Sequence, residues 1–410
     1  MYNTVRLSNG LRVIHRHSDS AVVYCGYQVA AGSRDEFPGG EGVAHFCEHM
    51  SFKGTGRRNH LQIINCLEGV GGELNAFTGK DTTVYHSAIL KEHLPKAVDL
   101  LTDIVFHSVY PEGETAKELE VICDEIESYN DSPAELIYDD FDNIIFANHP
   151  LGHNILGTQE KVRAFTPGDA ARFTGTFYTP ANAVFFCDGD VDFTRLCRLL
   201  ERQDWQSCTK STVAADRHIP AADLPAPVKQ TITRTMDTHQ AHVMLGTRAY
   251  SVHDNRRMAL YLLNNILGGP GMNARLNISL REKHGLVYTV ESTMISYSDT
   301  GLWSTYFGCD PKDVSLCLRL VRRELDKLML RPLSEAQLRA AKRQIKGQIA
   351  LACDSRENFA LDFGKSFLHY GWEKDIETLH RNIERLTALE LQQTAQEIFD
   401  ENRLTTLIYR

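Results

Sequence analysis

The sequence predicts an α+β fold made twice over: two similar α/β domains, each a mostly antiparallel sheet packed with helices. Three observations predict it. The chain has 410 residues, more than one domain of roughly 150 residues would use. Strand-like alternation and helix-like periodicity succeed each other along both halves. The order of elements also recurs. Gly246-Thr247-Arg248 ends a strand as Gly32-Ser33-Arg34 does, and the run from Thr387 through Phe399 to a strand at Tyr409 repeats the run from Thr166 through Phe177 to a strand after Asn182. Self-similarity of this kind marks a duplicated unit. The expected division is a first domain over 1–207, a linker over 208–226 and a second domain over 227–410. The linker has no period and carries Pro220 and Pro225.

The elements follow in order. Val5–Leu7 and Leu11–Ile14 flank Ser8-Asn9-Gly10, a hairpin signal because Asn-Gly accepts the positive φ of a tight turn. Residues 22–30 read as a strand, 42–50 and 60–67 as helices, 84–90 as a strand and 94–109 as a helix with apolar residues at helical spacing. From Glu114 to Tyr129 the apolar positions Leu119, Ile122 and Ile126 mark a helix with one buried face. Thr166-Pro167-Gly168-Asp169 is a helix start, with a capping threonine and a proline in the first turn. The repeat is unequal in one respect. The first copy has polar residues in the helix after Arg34, whereas the second has Met258 to Leu263, an apolar run. If the halves are duplicates, only the first kept chemistry.

Composition narrows the function. At 42% hydrophobic and 24% charged residues the chain is ordinary globular material. No apolar run approaches the roughly 18 residues of a membrane helix, and the start Met1-Tyr2-Asn3-Thr4-Val5-Arg6 has no secretory pattern. Acidic residues exceed basic ones by 53 − 44 = 9, which argues against nucleic acid as a partner. Ten cysteines occur without a Cys-x-x-Cys pair, the pattern of reduced thiols in a cytoplasm. The expectation is a cytoplasmic protein with neither membrane nor nucleic acid as partner.

The informative segment is His45-Phe46-Cys47-Glu48-His49. On a helix, positions i and i+4 share a face, so two imidazoles can converge on one point. Two neutral imidazoles suit Zn²⁺, and an adjacent carboxylate that is not a ligand can take a proton from water at the metal. The order His-x-x-Glu-His is that of the inverted zinc peptidases. With 17 histidines in the chain, it would still arise by chance in about one such chain in twenty, so the motif alone does not decide. A third ligand is needed, and the helix from Glu114 to Tyr129 offers Glu118, Glu120, Glu125 and Glu127. Glu118 and Glu125 are two turns apart and share a face; a plain solvated acidic face is the alternative.

Together with Met50-Ser51-Phe52-Lys53-Gly54-Thr55, the His45–His49 segment resembles the zinc site of the pitrilysin/insulinase family of metallopeptidases, in its short, processing-peptidase-like members. Glu118 and Glu125, the second lying 125 − 49 = 76 positions after His49, resemble that family's downstream glutamates. The resemblance implies Zn²⁺, one per chain, on His45, His49 and Glu125, with Glu48 as general base and Glu118 orienting a histidine or the water. Gly71 to Thr78 is similar to the family's cleft segment, where an edge strand pairs with an extended substrate, implying Asn75 and Ala76 as substrate-binding. Gly268 to Leu276 and Leu280 to Tyr288 resemble its carboxy-terminal signature, implying that Arg281 positions substrate and Tyr288 stabilises the oxyanion. The likeness includes Leu156-Gly157-Thr158 and runs from about residue 3 to the end.

The implied activity is zinc-dependent endopeptidase cleavage of peptides or unfolded segments in extended conformation. The implied assembly is a clamshell of four such domains, of which this chain supplies half. Because the chain carries both the zinc motif and the Arg/Tyr pair, a homodimer is expected, with a heteromeric partner as the alternative. The alternative function is a zinc-binding peptide-holding or structural subunit that needs a separate partner chain for activity. Cys47, inside the motif, reads as a small buried hydrophobe.

Overall fold

The computed structural model describes residues 2–205, 224–236, 238–373 and 375–410. The linker expected over 208–226 lies outside the described residues except for its last three. Two compact units result, each built on one sheet.

The first sheet has six strands: β1 (Tyr2–Arg6), β2 (Arg12–His17), β3 (Val22–Val29), β4 (Glu73–Thr78), β5 (Thr83–Leu90) and β6 (Ala183–Gly189), in the order β1-β2-β6-β3-β5-β4. All neighbours are antiparallel except β2 and β6. The β1–β2 hairpin turns at Gly10, with φ +92°, where Asn9 Oδ1 accepts from the Leu11 amide at 3.1 Å. Alternation sends Val23, Cys25, Tyr27 and Val29 into the core with α1 (Val43–Ser51), α2 (His60–Glu68) and α3 (Leu94–Phe106). The helix expected over 94–109 thus ends at Phe106. The opposite face of β3 and β6 is covered by helix Arg356–Tyr370: Phe363 stacks edge-on against Phe186, and Gln28 Nε2 donates to the Leu361 carbonyl at 2.7 Å. This double cover explains why β6 is buried at every position.

The second sheet has five strands: β7 (Gln230–Arg234), β8 (Ala241–Ala249), β9 (Val287–Ser296), β10 (Gly301–Cys309) and β11 (Thr405–Tyr409), in the order β7-β11-β8-β10-β9. Only β7 and β11 run parallel. On one face Trp303 packs against Phe399, ring centroids 4.6 Å apart, beneath helices Arg257–Gly268 and Ala388–Ile398. On the other, Ile137 and Phe141 join Met244, Leu407 and Tyr409. Those two residues belong to α5 (Pro133–Ile145), which follows α4 (Glu112–Asn130) after a break at Pro133.

The units are therefore not two consecutive stretches of chain. The segment 129–152, with α5, belongs to the second unit, and helix Arg356–Tyr370 belongs to the first. Each segment supplies the far-face cover of its sheet, which a sequential division at 207 and 227 does not contain. The nine described cysteines are free thiols, and no helix among the described residues is long and apolar enough to cross a membrane.

Candidate metal centre

The centre lies in the first unit, on α1. Its start is set by backbone contact. Gly42 has φ +103°, and a Cβ there would meet the Leu156 carbonyl oxygen at 2.8 Å. Gly157 approaches from the other side with φ +71°, and its Cβ would lie 2.3 Å from the Glu41 carbonyl. Only residues without a side chain permit this approach. The Glu36 carboxylate, fully buried, accepts from the Gly42 and Ala44 amides at 3.0 and 2.9 Å and from His153 Nε2 at 2.8 Å. It satisfies donors that the first turn leaves open and places negative charge at the positive end of the helix. Burial raises the Glu36 pKa against these hydrogen bonds.

One turn on, His45 and His49 stand on one face, ring centroids 4.5 Å apart. α4 brings Glu118 and Glu125 to them. Glu125 Oε2 lies 3.4 Å from His49 Nε2 and 3.8 Å from His45 Nε2. His49 Nδ1 donates to Glu118 Oε1 at 2.9 Å, and Lys53 Nζ donates to Glu118 Oε2 at 2.6 Å. The other two acidic candidates point elsewhere: Glu120 faces Arg163 at 3.6 Å and Glu127 is exposed. Glu48 is 9% exposed, and its Oε2 accepts from Thr78 Oγ1, at the end of β4, at 2.7 Å.

The electrostatics separate these groups. Burial, joined by the charge of His49, lowers the His45 pKa to about 4. Burial also acts to lower His49, but the hydrogen bonds to Glu118 and Glu125 outweigh it and raise that imidazole to about 9. The hydrogen bond from His49 lowers Glu125. For Glu118, burial is outweighed by His49 and Lys53, so it is lowered as well. Burial raises Glu48, the Thr78 bond only partly offsetting it, which moves that carboxyl towards the range of a working proton acceptor.

The donor set fits zinc. One ligand atom from each of His45, His49 and Glu125 lies within 4.8 Å of the others. Two donors at 2.0–2.1 Å from a tetrahedral ion are about 3.4 Å apart, close to the separations found. His45 Nδ1 is buried with no hydrogen-bond partner, and it is Nε2 that faces Glu125. Two imidazoles and one carboxylate are donors of the type that catalytic zinc sites use, where three protein ligands leave a fourth position for water.

The remaining expected residues fall in two places. Asn75 and Ala76 lie on β4, which pairs only with β5 and forms the sheet's edge. No strand among the described residues pairs with the other side of β4, where the Ala76 amide donates to Asn75 Oδ1 at 2.9 Å. Arg281 and Tyr288 belong to the second unit. Arg281 sits in a π-helical turn, Asn277–Glu282, closed by the Lys283 amide on the Ile278 carbonyl at 3.0 Å. Its guanidinium lies 5.2 Å from the Tyr288 ring centre, and Tyr288 is 80% exposed. Cys47 is fully buried and burial drives its pKa well up, leaving an inert thiol. Sequence reasoning did not identify Glu36, Lys53 or Thr78 as partners. Lys53 and Thr78 stood within quoted segments, but only the fold shows which carboxylate each meets.

Comparison with known proteins adds a common descent. The family described as Insulinase (Peptidase family M16) matches residues 12–159, and Peptidase M16 inactive domain matches residues 164–345. A relative in Bacillus subtilis (strain 168), named Uncharacterized zinc protease YmxG, is 32% identical over 98% of this chain and 96% of that protein. One in Streptomyces coelicolor, Uncharacterized zinc protease SCO5738, is 33% identical over 96% of this chain and 86% of that protein. Among solved structures, a protease from Helicobacter pylori superposes with a TM-score of 0.91 at 24% identity, covering 100% of this chain and 99% of that one. The Pseudomonas fluorescens structure of a peptidase M16 inactive domain gives 0.89 at 20% identity, covering 100% and 97%.

Proposed function

The chain belongs to the insulinase family of peptidases, family M16, and from that premise we propose that it is a zinc-dependent endopeptidase acting on peptides or unfolded segments. The observation that carries the reading is the convergence of His45, His49 and Glu125 beside a buried, non-ligating Glu48. His45, His49 and Glu125 hold one Zn²⁺ per chain. The ion supplies Lewis acidity, making water more acidic and a carbonyl more electrophilic. Glu48 takes the proton of the attacking water and returns it to the leaving amine, the role its raised pKa suits. Thr78 holds the Glu48 carboxylate in place. Glu118 fixes the ring of His49 through Nδ1 and is itself held by Lys53. The free side of β4 takes the substrate as an added strand around Asn75 and Ala76.

Arg281 positions the substrate and Tyr288 donates to the oxyanion. In a homodimer these two residues serve the zinc of the other protomer, a reading supported by the presence of both sets in a single chain. The protein works in the cytoplasm, in keeping with its free cysteines.

The test compares wild type with Glu48→Gln on zinc content and on a quenched mixed-peptide library. The variant is expected to keep about one zinc per chain and to lose roughly 10²–10⁴ in kcat. Equal cleavage by both proteins overturns the role of Glu48. Zinc bound by both with no cleavage by either favours the subunit that requires a partner chain. Co-expression of Glu48→Gln with Tyr288→Phe then tests the dimer. Shared sites restore about a quarter of wild-type activity, because half the dimers are mixed and each has one intact site; sites made within one chain restore none.

A further inference from the structure

The second unit holds a cavity that this chemistry does not use. It measures about 520 Å³ and is formed by residues of the 275–283 segment, the end of helix Val314–Leu330 and the turn after it. Its wall carries Arg275, Lys283, Arg323, Lys327 and Arg331 against a single carboxylate, Glu324. Glu324 is engaged, since its Oε1 accepts from Lys327 Nζ at 2.6 Å. The side chains of the other four make no hydrogen bond and no close ion pair among the described residues, although Arg275 feels the charge of Glu324. Arg275 is also withdrawn from solvent far enough that burial lowers its pKa.

We propose that this cavity binds a small compound carrying clustered phosphate groups, of the diphosphate or triphosphate class. Five cations less one carboxylate leave a charge of +4 on the wall, which matches a ligand of several negative charges on adjacent phosphorus centres. Arginine forks engage phosphate through paired N–H groups. The volume suits a small molecule. An acidic peptide fits less well: carboxylates on one side of an extended chain recur only every ~7 Å, and no strand of the sheet lines the cavity. No aromatic side chain lines it either, so recognition rests on the phosphates and not on a base. The sequence shows Arg323 only as one cation on a helix with Glu324 and Asp326; the fold joins it to Arg275, Lys283 and Arg331.

The inference does not depend on the zinc reading, and its test reads binding, not cleavage. Tripolyphosphate is titrated into the full-length protein by calorimetry at low salt, beside inorganic phosphate and a hexaglutamate peptide. The expected result is one tripolyphosphate per chain, bound at least tenfold tighter than either alternative. Arg323→Glu with Arg331→Glu, both at exposed positions, is expected to weaken it at least tenfold with an unchanged circular dichroism spectrum. Arg275→Gln, at the partly buried cation of the wall, is expected to weaken it several-fold. Because the variants keep the zinc ligands, sequestration of metal by the probe would be the same in all of them. Equal heats in wild type and variants overturn the site, and tighter binding of hexaglutamate overturns the ligand class.

Discussion

The two units carry the same sheet and opposite chemistry. With β1 set aside, the first sheet reads β2-β6-β3-β5-β4 and the second β7-β11-β8-β10-β9. Each has one parallel pair, formed by its first strand and its last, and each has a far-face helix from the other half of the chain. The helix after the third position of each order differs. In α1 the buried residues include His45 and Glu48; in Arg257–Gly268 they include Met258, Ala259, Leu262 and Leu263. The lesson is about which features a duplicated fold must keep. Strand order depends on alternation and backbone pairing, which tolerate almost any apolar residue facing the core. Chemistry depends on three or four side chains, and buried polar groups destabilise a fold unless each finds a partner. The first unit provides those partners in Glu118, Lys53, Thr78 and Glu36. The second has apolar residues there and needs none.

The largest expected effect breaks the comparison where the partners are strongest. Glu118→Gln keeps a hydrogen-bonding group beside His49 but removes the charge that fixes its ring. Zinc affinity, measured by competition with a chromogenic chelator, is expected to fall about 10–100-fold. An unchanged affinity would show that α1 alone orients His49.

A smaller effect concerns how the two helices start. Gly42→Ala puts a Cβ into left-handed backbone against the Leu156 carbonyl and is expected to cost about 2 kcal/mol in urea unfolding. Arg256→Ala stands at the matching start of helix Arg257–Gly268, where φ is −65° and the charge pairs are exposed, and is expected to cost under about 1 kcal/mol. Equal costs would mean that the close approach of Gly42 and Gly157 does not hold α1 in place.

The smallest concerns acid and the two far-face helices. Burial holds the His369 imidazole at about 4, against the pull of Asp81 and with the help of Lys365, Arg12 and Arg34. The neutral ring is therefore the native form. Its contribution to stability is whole above the unfolded value near 6.5 and is lost as pH falls from there towards 4. α5 contains no histidine. Amide exchange, corrected for its intrinsic pH dependence, is expected to loosen helix Arg356–Tyr370 before α5 between pH 6.5 and 4. His369→Gln is expected to remove that difference, and a difference that persists in the variant assigns it to another group.

Much of this was legible in the sequence because it is local. The Asn9-Gly10 hairpin, the Thr166 cap with Asp169 and the i, i+4 histidines of α1 are each decided within a few residues. The choice among Glu118, Glu120, Glu125 and Glu127 came from resemblance, and the geometry of α4 gives it a physical reason: Glu118 and Glu125 face α1, Glu120 faces Arg163. The exchange of α5 and Arg356–Tyr370 was not legible. An amphipathic helix shows that it needs an apolar surface, but not which of two equivalent sheets will provide it.

By itself, then, the sequence determined the repeated order of strands and helices, the histidine pair and the carboxylate between them, since each depends on spacing along the chain. The tertiary structure alone decided that Glu36 holds the start of α1, that Thr78 holds Glu48, that Glu118 is shared by His49 and Lys53, and that Arg275, Lys283, Arg323 and Arg331 line one cavity. These are contacts between residues far apart in sequence. Their partners are selected by packing, which no periodicity along a single chain encodes.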